Sequence, residues 1–422
     1  MDTVLYSKTM TSFSFKAAGN SVLSAEINGT ISGTNISATV PFGTDVTALV
    51  ATFTTIGQIV KVGNTTQASG TSANNFSSVV TYTVAAANGS TQDYTVTVTV
   101  GVVGDSVNYT VGSVSLTMIY VPGGITYMAG INDDGDKNND GDTIDSEDEP
   151  GGTTVTNAYL IGQTEVTYEL WYEVYTWATS NGYTFVNPGR EGNDGTIGAA
   201  PTTANQEPAT QFNWREAMIW MNALTEYYNA QNGTSLTPVY YSDANYSTPF
   251  KTATDSATTT EGTPGTQDNP YIKSGSVGNT DMANNTATGF RFLTSDEWEL
   301  SARYKNDANS DGDIQDANEY YPGDYASGAT ADYSDATATG LVGIYSTAAT
   351  AVVKSKNANA LGLYDMTGNV MDRTFDLNGT DRVIRGGCFN LTATDMRLGR
   401  VWDYYAPDLE TGNFGVRIAR TP

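Results

Sequence analysis

The first hundred residues contain short runs in which apolar and polar residues alternate. The clearest run is Tyr94–Val100, where every second side chain is apolar. A period of two places one face of a strand on a core and the other in water. The pair Asn88-Gly89 precedes this run and is typical of a hairpin turn. Further strand-like runs lie at residues 12–15, 36–40, 46–50 and 79–84. This spacing predicts an all-β sandwich over residues 1–104.

Residues 105–422 have a different pattern, in which strand-like runs lead into helices with defined starts. Asn213 is followed three residues later by Glu216, and Thr294 by Glu297. Each pair predicts a capping box, in which the two side chains satisfy free backbone N–H groups at a helix N-terminus. A third helix is predicted from Tyr168, directly after an apolar run. This region is therefore predicted to be an α+β domain.

The composition excludes several functional classes. The chain has 20 Lys and Arg against 46 Asp and Glu, a net charge of −26, which repels the phosphate backbone of nucleic acids. Histidine is absent and Cys388 is the single cysteine. A Ser-His-Asp triad, a two-His iron site and an intramolecular disulfide are therefore excluded. No run of about 18 apolar residues occurs, so we expect no membrane span.

Two acidic stretches have the ligand spacing of an EF-hand-type calcium loop. In each, Asp, Asn and Asp occupy alternate positions ahead of a glycine that permits a sharp reversal. The second stretch ends less regularly, with Asn318 at the position of the last ligand and Glu319 one residue later. Calcium is therefore the expected cofactor, and two solvated acidic loops are the alternative. The predicted ligands are Asp136, Asn138, Asp140, Asp142 and Glu147 in the first loop, and Asp307, Asn309, Asp311, Asp313 and Asn318 in the second.

The C-terminal part of the chain resembles the formylglycine-generating-enzyme-like family, also called sulfatase-modifying factors. The resemblance rests on Gly362–Asp372 with its Gly-Asn-Val motif, on Arg-Gly-Gly at residues 385–387, and on Gly415-Val-Arg417. The strand and helix blocks upstream follow the family's order. The resemblance implies a C-type lectin fold for residues 105–422. Residues 1–104 resemble the Ig-like modules repeated in bacterial surface proteins.

The same resemblance implies that this chain is not an enzyme. Catalytic members bind copper through two cysteines, and the corresponding positions here hold Leu391 and Met396. The iron-dependent branch uses histidine ligands, which the chain lacks. We therefore expect neither copper nor iron. The family also implies a calcium ion at the Gly368–Asp372 turn, where Asn369 is the matching residue.

The fold family includes the variable proteins of diversity-generating retroelements, whose C-terminal segment is diversified. Residues 382–419 occupy the same place in this chain, which implies a ligand-binding surface there. We expect Arg385, Arg397 and Arg417 to lie beneath this surface, and Trp402 and Tyr404 to be its main contacts. The predicted surface residues are Phe389, Asn390, Leu391, Thr394, Asp395, Trp402, Asp403, Tyr404, Tyr405, Leu409 and Glu410.

Three functions are compatible with these features. The favoured one is a non-catalytic recognition protein that binds a protein or glycan ligand on another cell or host surface. The alternatives are a cryptic metal-dependent enzyme, which a metal and turnover screen would detect, and an invariant structural adhesin, which neighbouring DNA without a reverse transcriptase gene would indicate. We expect an extracellular or cell-surface location, with a leader removed ahead of Met1, or a place on a phage particle.

Overall fold

The computed structural model describes residues 6–23, 26–40, 44–130, 152–202, 206–260, 262–273, 276–277, 287–309, 311–316 and 318–422. The side chains of residues 276, 277, 403 and 404 are outside this description. The chain divides into two compact units, residues 1–103 and 104–422. This division lies one residue from the boundary expected from the sequence.

The first unit is built from strands. They are β1 (Met10–Phe15), β2 (Ile27–Asn28), β3 (Thr30–Ser32), β4 (Asn35–Val40), β5 (Leu49–Thr55), β6 (Ile59–Val62), β7 (Thr65–Thr66), β8 (Ala73–Asn74), β9 (Val80–Ala85) and β10 (Thr91–Val100). One sheet has the order β2-β1-β5-β8 and the other β3-β4-β10-β9-β6-β7. All described pairings are antiparallel except the parallel pair β4 and β10. The predicted all-β sandwich is confirmed.

The core of the first unit follows from the alternation of its strands. In β4 and β9 every second residue is buried, and aromatic rings fill the core, with Phe13 edge-on to Tyr82 at 5.4 Å. Gly89, at φ 84°, forms the turn between β9 and β10, as the sequence predicted. The strand predicted at residues 46–50 instead begins at Leu49. The reason is a local turn, in which the Asp45 carboxylate accepts hydrogen bonds from the backbone and hydroxyl of Thr47.

The second unit contains both helices and strands. They are β11 (Ser106–Val111), β12 (Val114–Val121), β13 (Ile125–Met128), β14 (Gly152–Val155), β15 (Tyr159–Gly162), α1 (Tyr168–Thr179), β16 (Arg190–Glu191), β17 (Ala209–Thr210), α2 (Trp214–Asn232), β18 (Tyr240–Tyr241), β19 (Tyr271–Ile272), β20 (Ser276–Val277), β21 (Phe290–Phe292), α3 (Ser295–Arg303), α4 (Ala336–Val342), β22 (Met371–Asn378), β23 (Asp381–Arg385), β24 (Trp402–Tyr405), β25 (Phe414–Val416) and β26 (Ile418–Arg420).

Two sheets organise the second unit. The first, β11-β12-β15-β26-β21, brings the last strand of the chain between two earlier ones. The second, β24-β23-β22-β25, carries the C-terminal segment. Helices α1 and α2 pack together, and Trp171 stacks on Trp220 at 5.2 Å between ring centroids. Residues 214–225 of α2 are all buried, so this half of the helix is enclosed by the unit.

The helix starts occur where the sequence predicted them. Asn213 caps α2 and Thr294 caps α3, and both capping boxes are complete, with Glu216 and Glu297 as the reciprocal partners. Helix α1 begins at Tyr168, as expected. Among the helices that the structure describes, none is long and apolar enough to span a membrane.

Candidate ligand-binding surface

The C-terminal segment, defined here as residues 386–413, connects β23 to β25. It begins at Gly386 and Gly387, with φ of 94° and 70°. A side chain on Gly386 would lie 2.8 Å from the carbonyl of Met366, and one on Gly387 would lie 2.6 Å from that of Asp395. Glycine is therefore required at both positions by conformation and by space. This explains the Arg-Gly-Gly motif in physical terms.

Two arginines predicted to lie beneath the segment are buried. Arg385 donates to the carboxylate of Glu299, which also pairs with Arg303 at 2.8 Å, and to the carbonyl of Arg400 at 3.0 Å. Burial would raise the pKa of Glu299, but Arg385 and Arg303 hold it below its ordinary value. Arg417 pairs with Asp372 at 3.1 Å. Arg385 is therefore buried and bonded to the segment, as the sequence predicted, whereas Arg417 is buried against Asp372 outside the segment.

Arg397 is placed differently from the other two. Its side chain is 12% exposed, and it faces Asp324 at 3.5 Å and the ring of Tyr333. The expectation of a buried Arg397 under the surface is therefore wrong. The short 3-10 helix Ala393–Met396 ends directly before Arg397, whose backbone is extended and whose guanidinium also donates to the carbonyl of Thr394 at 2.9 Å.

The main chain of the segment is held at many points by the rest of the unit. The N–H of Phe389 donates to Asn369, that of Leu398 to Tyr325, and the carbonyl of Pro407 accepts from Trp214. These bonds measure 2.8, 2.9 and 2.9 Å. The carbonyls of Leu409 and Asn413 also accept, from the Arg373 guanidinium and the Met371 N–H. The backbone of the segment is therefore fixed by groups outside it.

The predicted surface residues fall into three groups. Asn390, Thr394 and Leu409 are exposed, and Leu391, Asp395, Tyr405 and Glu410 are half-buried. Phe389 and Trp402 are buried, at 4% and 7% exposure. The side chains of Asp403 and Tyr404 lie outside the described part of the chain.

The burial of Phe389 and Trp402 corrects the sequence-based interpretation. Trp402 lies opposite Ile384 in the pairing of β24 with β23. Both aromatic side chains belong to a small apolar core with Met371, Cys388 and Phe414. The Arg400 guanidinium covers the indole of Trp402, 4.2 Å from the ring centroid. These two residues therefore stabilise the segment and are not its exposed contacts.

Asp395 also has a structural role. One carboxylate oxygen accepts from the N–H and hydroxyl of Thr392, at 3.0 and 2.8 Å, and the other pairs with Arg400 at 3.0 Å. Tyr405 packs edge-on against Phe414 at 4.8 Å. The surface available for a ligand is therefore smaller and less aromatic than predicted.

The positions of the family's chemistry carry no reactive thiol. Cys388 is fully buried, and burial raises the pKa of its thiol to about 12. At neutral pH it is a thiol, whereas the nucleophile and metal ligand is the thiolate. Leu391 is half-buried and Met396 is buried in a second small apolar cluster. Neither side chain can supply a thiolate, and both pack against apolar neighbours.

A buried acidic cluster of Glu165, Asp365 and Asp372 lies beside the segment. Each residue is at most 2% exposed and each has one buried carboxylate oxygen without a hydrogen-bond partner. The positive charge of Arg417 lowers the pKa of all three carboxyl groups and so opposes the effect of burial. Burial, and then the charge of Asp365, raise the pKa of Glu165 well above its ordinary value although Arg417 opposes the shift. Burial likewise raises the pKa of Asp372, although the charge of Arg417 acts in the opposite direction.

The cluster includes the turn where the resemblance implies calcium. The three carboxylates have unpaired oxygens of the ligand type that calcium prefers, but in the described structure they are not gathered around one point as a metal site. The Asn369 amide accepts from the Ala351 N–H at 3.0 Å and donates to the Ala351 carbonyl at 3.2 Å. Its φ is 56°, so it holds the left-handed turn. The Asn369 amide therefore has a structural role in this turn, and its assignment as a metal ligand stays a prediction.

Sequence analysis missed Glu165 and Asp365. The available signal was an acidic residue inside each of two motif blocks, Glu165 in residues 159–167 and Asp365 in residues 362–372. Glu165 also lines a polar cavity of about 350 Å³ together with Gln163 and Lys354.

The two predicted calcium loops differ in what the structure shows. Residues 136–147, with the first set of ligands, lie outside the described residues. In the second loop Asp307 and Asp313 are half-buried, Asn309, Asp311 and Asn318 are exposed, and Glu319 is 3% exposed. In the part of the chain that the structure describes, no three carboxylate, thiol or imidazole groups are already gathered as a metal site.

Residues 110–422 match the family described as sulfatase-modifying factor enzyme 1-like domain. The chain belongs to this family. Residues 10–98 match the family described as SGBP, N-terminal. No curated protein matches the chain.

Solved structures resemble the sulfatase-modifying factor enzyme 1-like domain. Treponema denticola variable protein 1 is 23% identical, covers 75% of this chain and 99% of its own, and has a TM-score of 0.50. CarF is 22% identical over 72% of this chain and 98% of its own, with a TM-score of 0.49. PvdO from Pseudomonas aeruginosa is 16% identical, covers 76% of this chain and 100% of its own, and has a TM-score of 0.41. At this identity the likeness to the Treponema protein concerns the fold, and it confirms the predicted C-type lectin-like α+β domain behind an Ig-like module.

Proposed function

We propose that this chain is a non-catalytic recognition protein that binds a protein or glycan ligand through the exposed side chains of residues 386–413. The carrying observation is the way the segment is held. Its backbone is bonded to groups outside it, whereas Asn390, Thr394 and Leu409 point into solvent. Side chains on such a fixed backbone can change without loss of the fold, which suits a surface selected for binding.

The similarity to other proteins supports this proposal. One similar structure carries the name variable protein, and a variable C-terminal segment is what a diversity-generating retroelement produces. The N-terminal module matches a domain of SGBPs, surface glycan-binding proteins. Together they favour a display protein of a bacterial surface or a phage, whose partner lies on another cell or a host surface.

The enzymatic alternative has less support. The buried Cys388 with its raised pKa and the packed side chains of Leu391 and Met396 leave the family's copper chemistry without thiolates. A metal-dependent reaction at the acidic cluster is the remaining form of this alternative. An invariant adhesin is the third function, and it differs from the proposal in predicting no reverse transcriptase gene and no near-copy of the segment's coding sequence in the neighbouring DNA.

Calcium is part of the proposal as a structural cofactor. In the acidic cluster, Asp365 and Asp372 are the residues that would hold it, because each is buried with one unpaired oxygen. A bound cation would neutralise charge that Arg417 alone leaves uncompensated. Its role there is to stabilise the fold under the segment.

A binding experiment tests the proposal. The full chain is applied to a glycan array and to whole bacterial and host cells, beside a variant with Asn390→Ala, Thr394→Ala and Leu409→Ala. We expect this triple variant to lose binding by tenfold or more, because hot-spot truncations cost about 2 kcal/mol or more. Its melting temperature should change by only about 2 °C, since the three side chains are exposed.

A control variant truncates exposed side chains elsewhere on the second structural unit. Val107 and Val186 are 38% and 46% exposed, comparable with Leu409 at 38%, and neither belongs to the segment. The double variant Val107→Ala, Val186→Ala should bind like the parent. Binding that survives the triple variant but not this control would place the ligand on another face and contradict the proposal.

A further inference from the structure

The loop between α3 and Tyr320 is closed by backbone bonds at its base. Tyr304 and Tyr320 form an antiparallel bridge. The N–H of Lys305 donates to the carbonyl of Glu319 at 2.9 Å, and that of Tyr321 to Arg303 at 2.7 Å. Residues 305–319 are therefore a closed loop with fixed ends, directly continuous with the buried helix α3.

Within the loop, oxygens turn inward in a regular series. Asp307 accepts from the N–H groups of Asp311 and Gly312, both at 3.2 Å, and Asp311 accepts from Asp313 at 3.1 Å. Gly312 has φ of 93°, which allows the reversal. The Asn309 amide donates to the carboxylates of Asp311 and Asp316, at 2.9 Å each. The Asn309 amide thus links two carboxylates of the loop.

Glu319 provides a second and independent observation. It is 3% exposed, and one carboxylate oxygen accepts from the N–H of Ala308 at 2.7 Å and of Asn309 at 3.4 Å. The other oxygen is buried without a hydrogen-bond partner. Since a buried unpaired charge is strongly unfavourable, this oxygen requires a partner at the start of the loop.

The surroundings of Tyr304 show that Asp307 and Glu319 act on the same place. Burial, and then the charges of Asp307 and Glu319, raise the pKa of the Tyr304 phenol to about 12. The carboxylates at the two ends of the loop, twelve positions apart in sequence, therefore both lie near the Tyr304 phenol.

We propose that residues 307–319 bind a calcium ion, with Glu319 and not Asn318 as the closing ligand. Asp307, Asp311 and Glu319 supply carboxylate oxygens, and rotation of the Asn309 amide exchanges its N–H groups for its oxygen. Asn318 is exposed and has a left-handed backbone, φ 78°, so it forms the turn that directs Glu319 inward. Asp313 caps the N–H of Gln315 at 3.0 Å. A flexible set of oxygen ligands favours calcium over magnesium.

The ligands draw together when the ion binds, which explains why the described carboxylates are not yet gathered around one point. The effect extends beyond the loop. The segment after it bonds to the C-terminal segment, with the N–H of Leu398 donating to Tyr325 at 2.9 Å and that of Gly399 to Gly323 at 3.1 Å. Calcium in the loop therefore stiffens one border of the proposed ligand-binding surface. This site is separate from the proposed recognition function and stands without it.

Bound calcium per full-length chain, measured by equilibrium dialysis and atomic emission, tests the site. The double variant Asp307→Asn, Glu319→Gln should bind about one calcium fewer than the parent, whatever the other acidic stretches bind. Asn318→Gly is the matched control, because glycine keeps the left-handed backbone while removing the amide. It should bind as much as the parent.

Two further readouts keep the test independent of folding. Asp311→Asn alone changes an exposed side chain, and it should also weaken terbium luminescence excited through tyrosine. In chelator, Glu319→Gln should be at least as stable as the parent, since it removes an unpaired buried charge; with calcium it should gain less in melting temperature. The site is overturned if the parent and the double variant bind equal amounts of calcium. It is also overturned if Asn318→Gly binds less calcium than the parent while Glu319→Gln binds as much.

Discussion

Replacing Arg417 with methionine is expected to lower the free energy of unfolding of residues 104–422 by about 3–5 kcal/mol, the usual cost of removing one partner of a buried ion pair. Arg417 is fully buried and donates to Asp372 and to the carbonyls of Gly162, Tyr364 and Asp365. Its loss removes the cation paired with the Asp372 carboxylate, which keeps only the Trp298 indole N–H at 2.9 Å, and removes the side-chain donor to these carbonyls. Natural domains are stable by only about 5–15 kcal/mol, so much of the stability would be lost.

Urea unfolding followed by tryptophan fluorescence reports on the second structural unit alone, because all six tryptophans lie beyond residue 104. Arg397→Met is the control. Arg397 faces Asp324 at 3.5 Å and is partly exposed, so its removal should cost less than about 1 kcal/mol. An equal loss in the two variants would contradict the distinction between them.

The Arg417 variant should also depend on pH with a definite sign. The pKa values of Glu165, Asp365 and Asp372 are raised in the folded protein, chiefly by burial. Above the ordinary value of about 4, the folded state therefore holds more protons than the unfolded state, and stability falls as pH rises. Lowering the pH from about 7 to about 5 should recover part of the lost stability. A larger deficit at about pH 5 would contradict this account of the cluster.

The second large effect is expected at Trp402. Replacement with alanine should lower the free energy of unfolding by about 3–5 kcal/mol, because the indole fills a core between Ile384, Phe389 and Phe414. Leu409→Ala is the comparison within the same segment, and it should cost at most about 0.5 kcal/mol because Leu409 is exposed. The two variants are measured by the same fluorescence assay. A stable Trp402→Ala protein would restore the interpretation of Trp402 as an exposed contact.

The elements that sequence predicted well depend on local patterns. Alternation in β10, the turn at Gly89 and the capping boxes at Asn213 and Thr294 all involve residues within four positions of one another. Such signals are complete in a short stretch of sequence. The family motifs then identified the fold of the second unit, which the match over residues 110–422 confirms.

The errors concern contacts between distant residues. The burial of Trp402 depends on the pairing of β24 with β23, and an aromatic residue in an isolated segment gives no sign of it. Glu165 meets Asp365 and Asp372 only through the fold, about two hundred residues apart in sequence. The proposal of Glu319 in place of Asn318 as the closing calcium ligand likewise depends on a contact that sequence does not show, the bridge that closes the loop. In each case the sequence shows the residue type but not the side chains that surround it in the folded protein.

The central claim is that residues 386–413 display variable side chains on a backbone fixed from outside. A library in which Asn390, Thr394, Val401 and Leu409 are randomised together tests it most directly, because all four side chains are exposed. Folding is scored by protease resistance on display, followed by selection against an unrelated protein. The claim predicts that most members fold like the parent and that selection yields specific binders. A control library randomised at Phe389 and Trp402 should be mostly unfolded, because both side chains are buried. If the library at the exposed positions were also mostly unfolded, the claim would be contradicted.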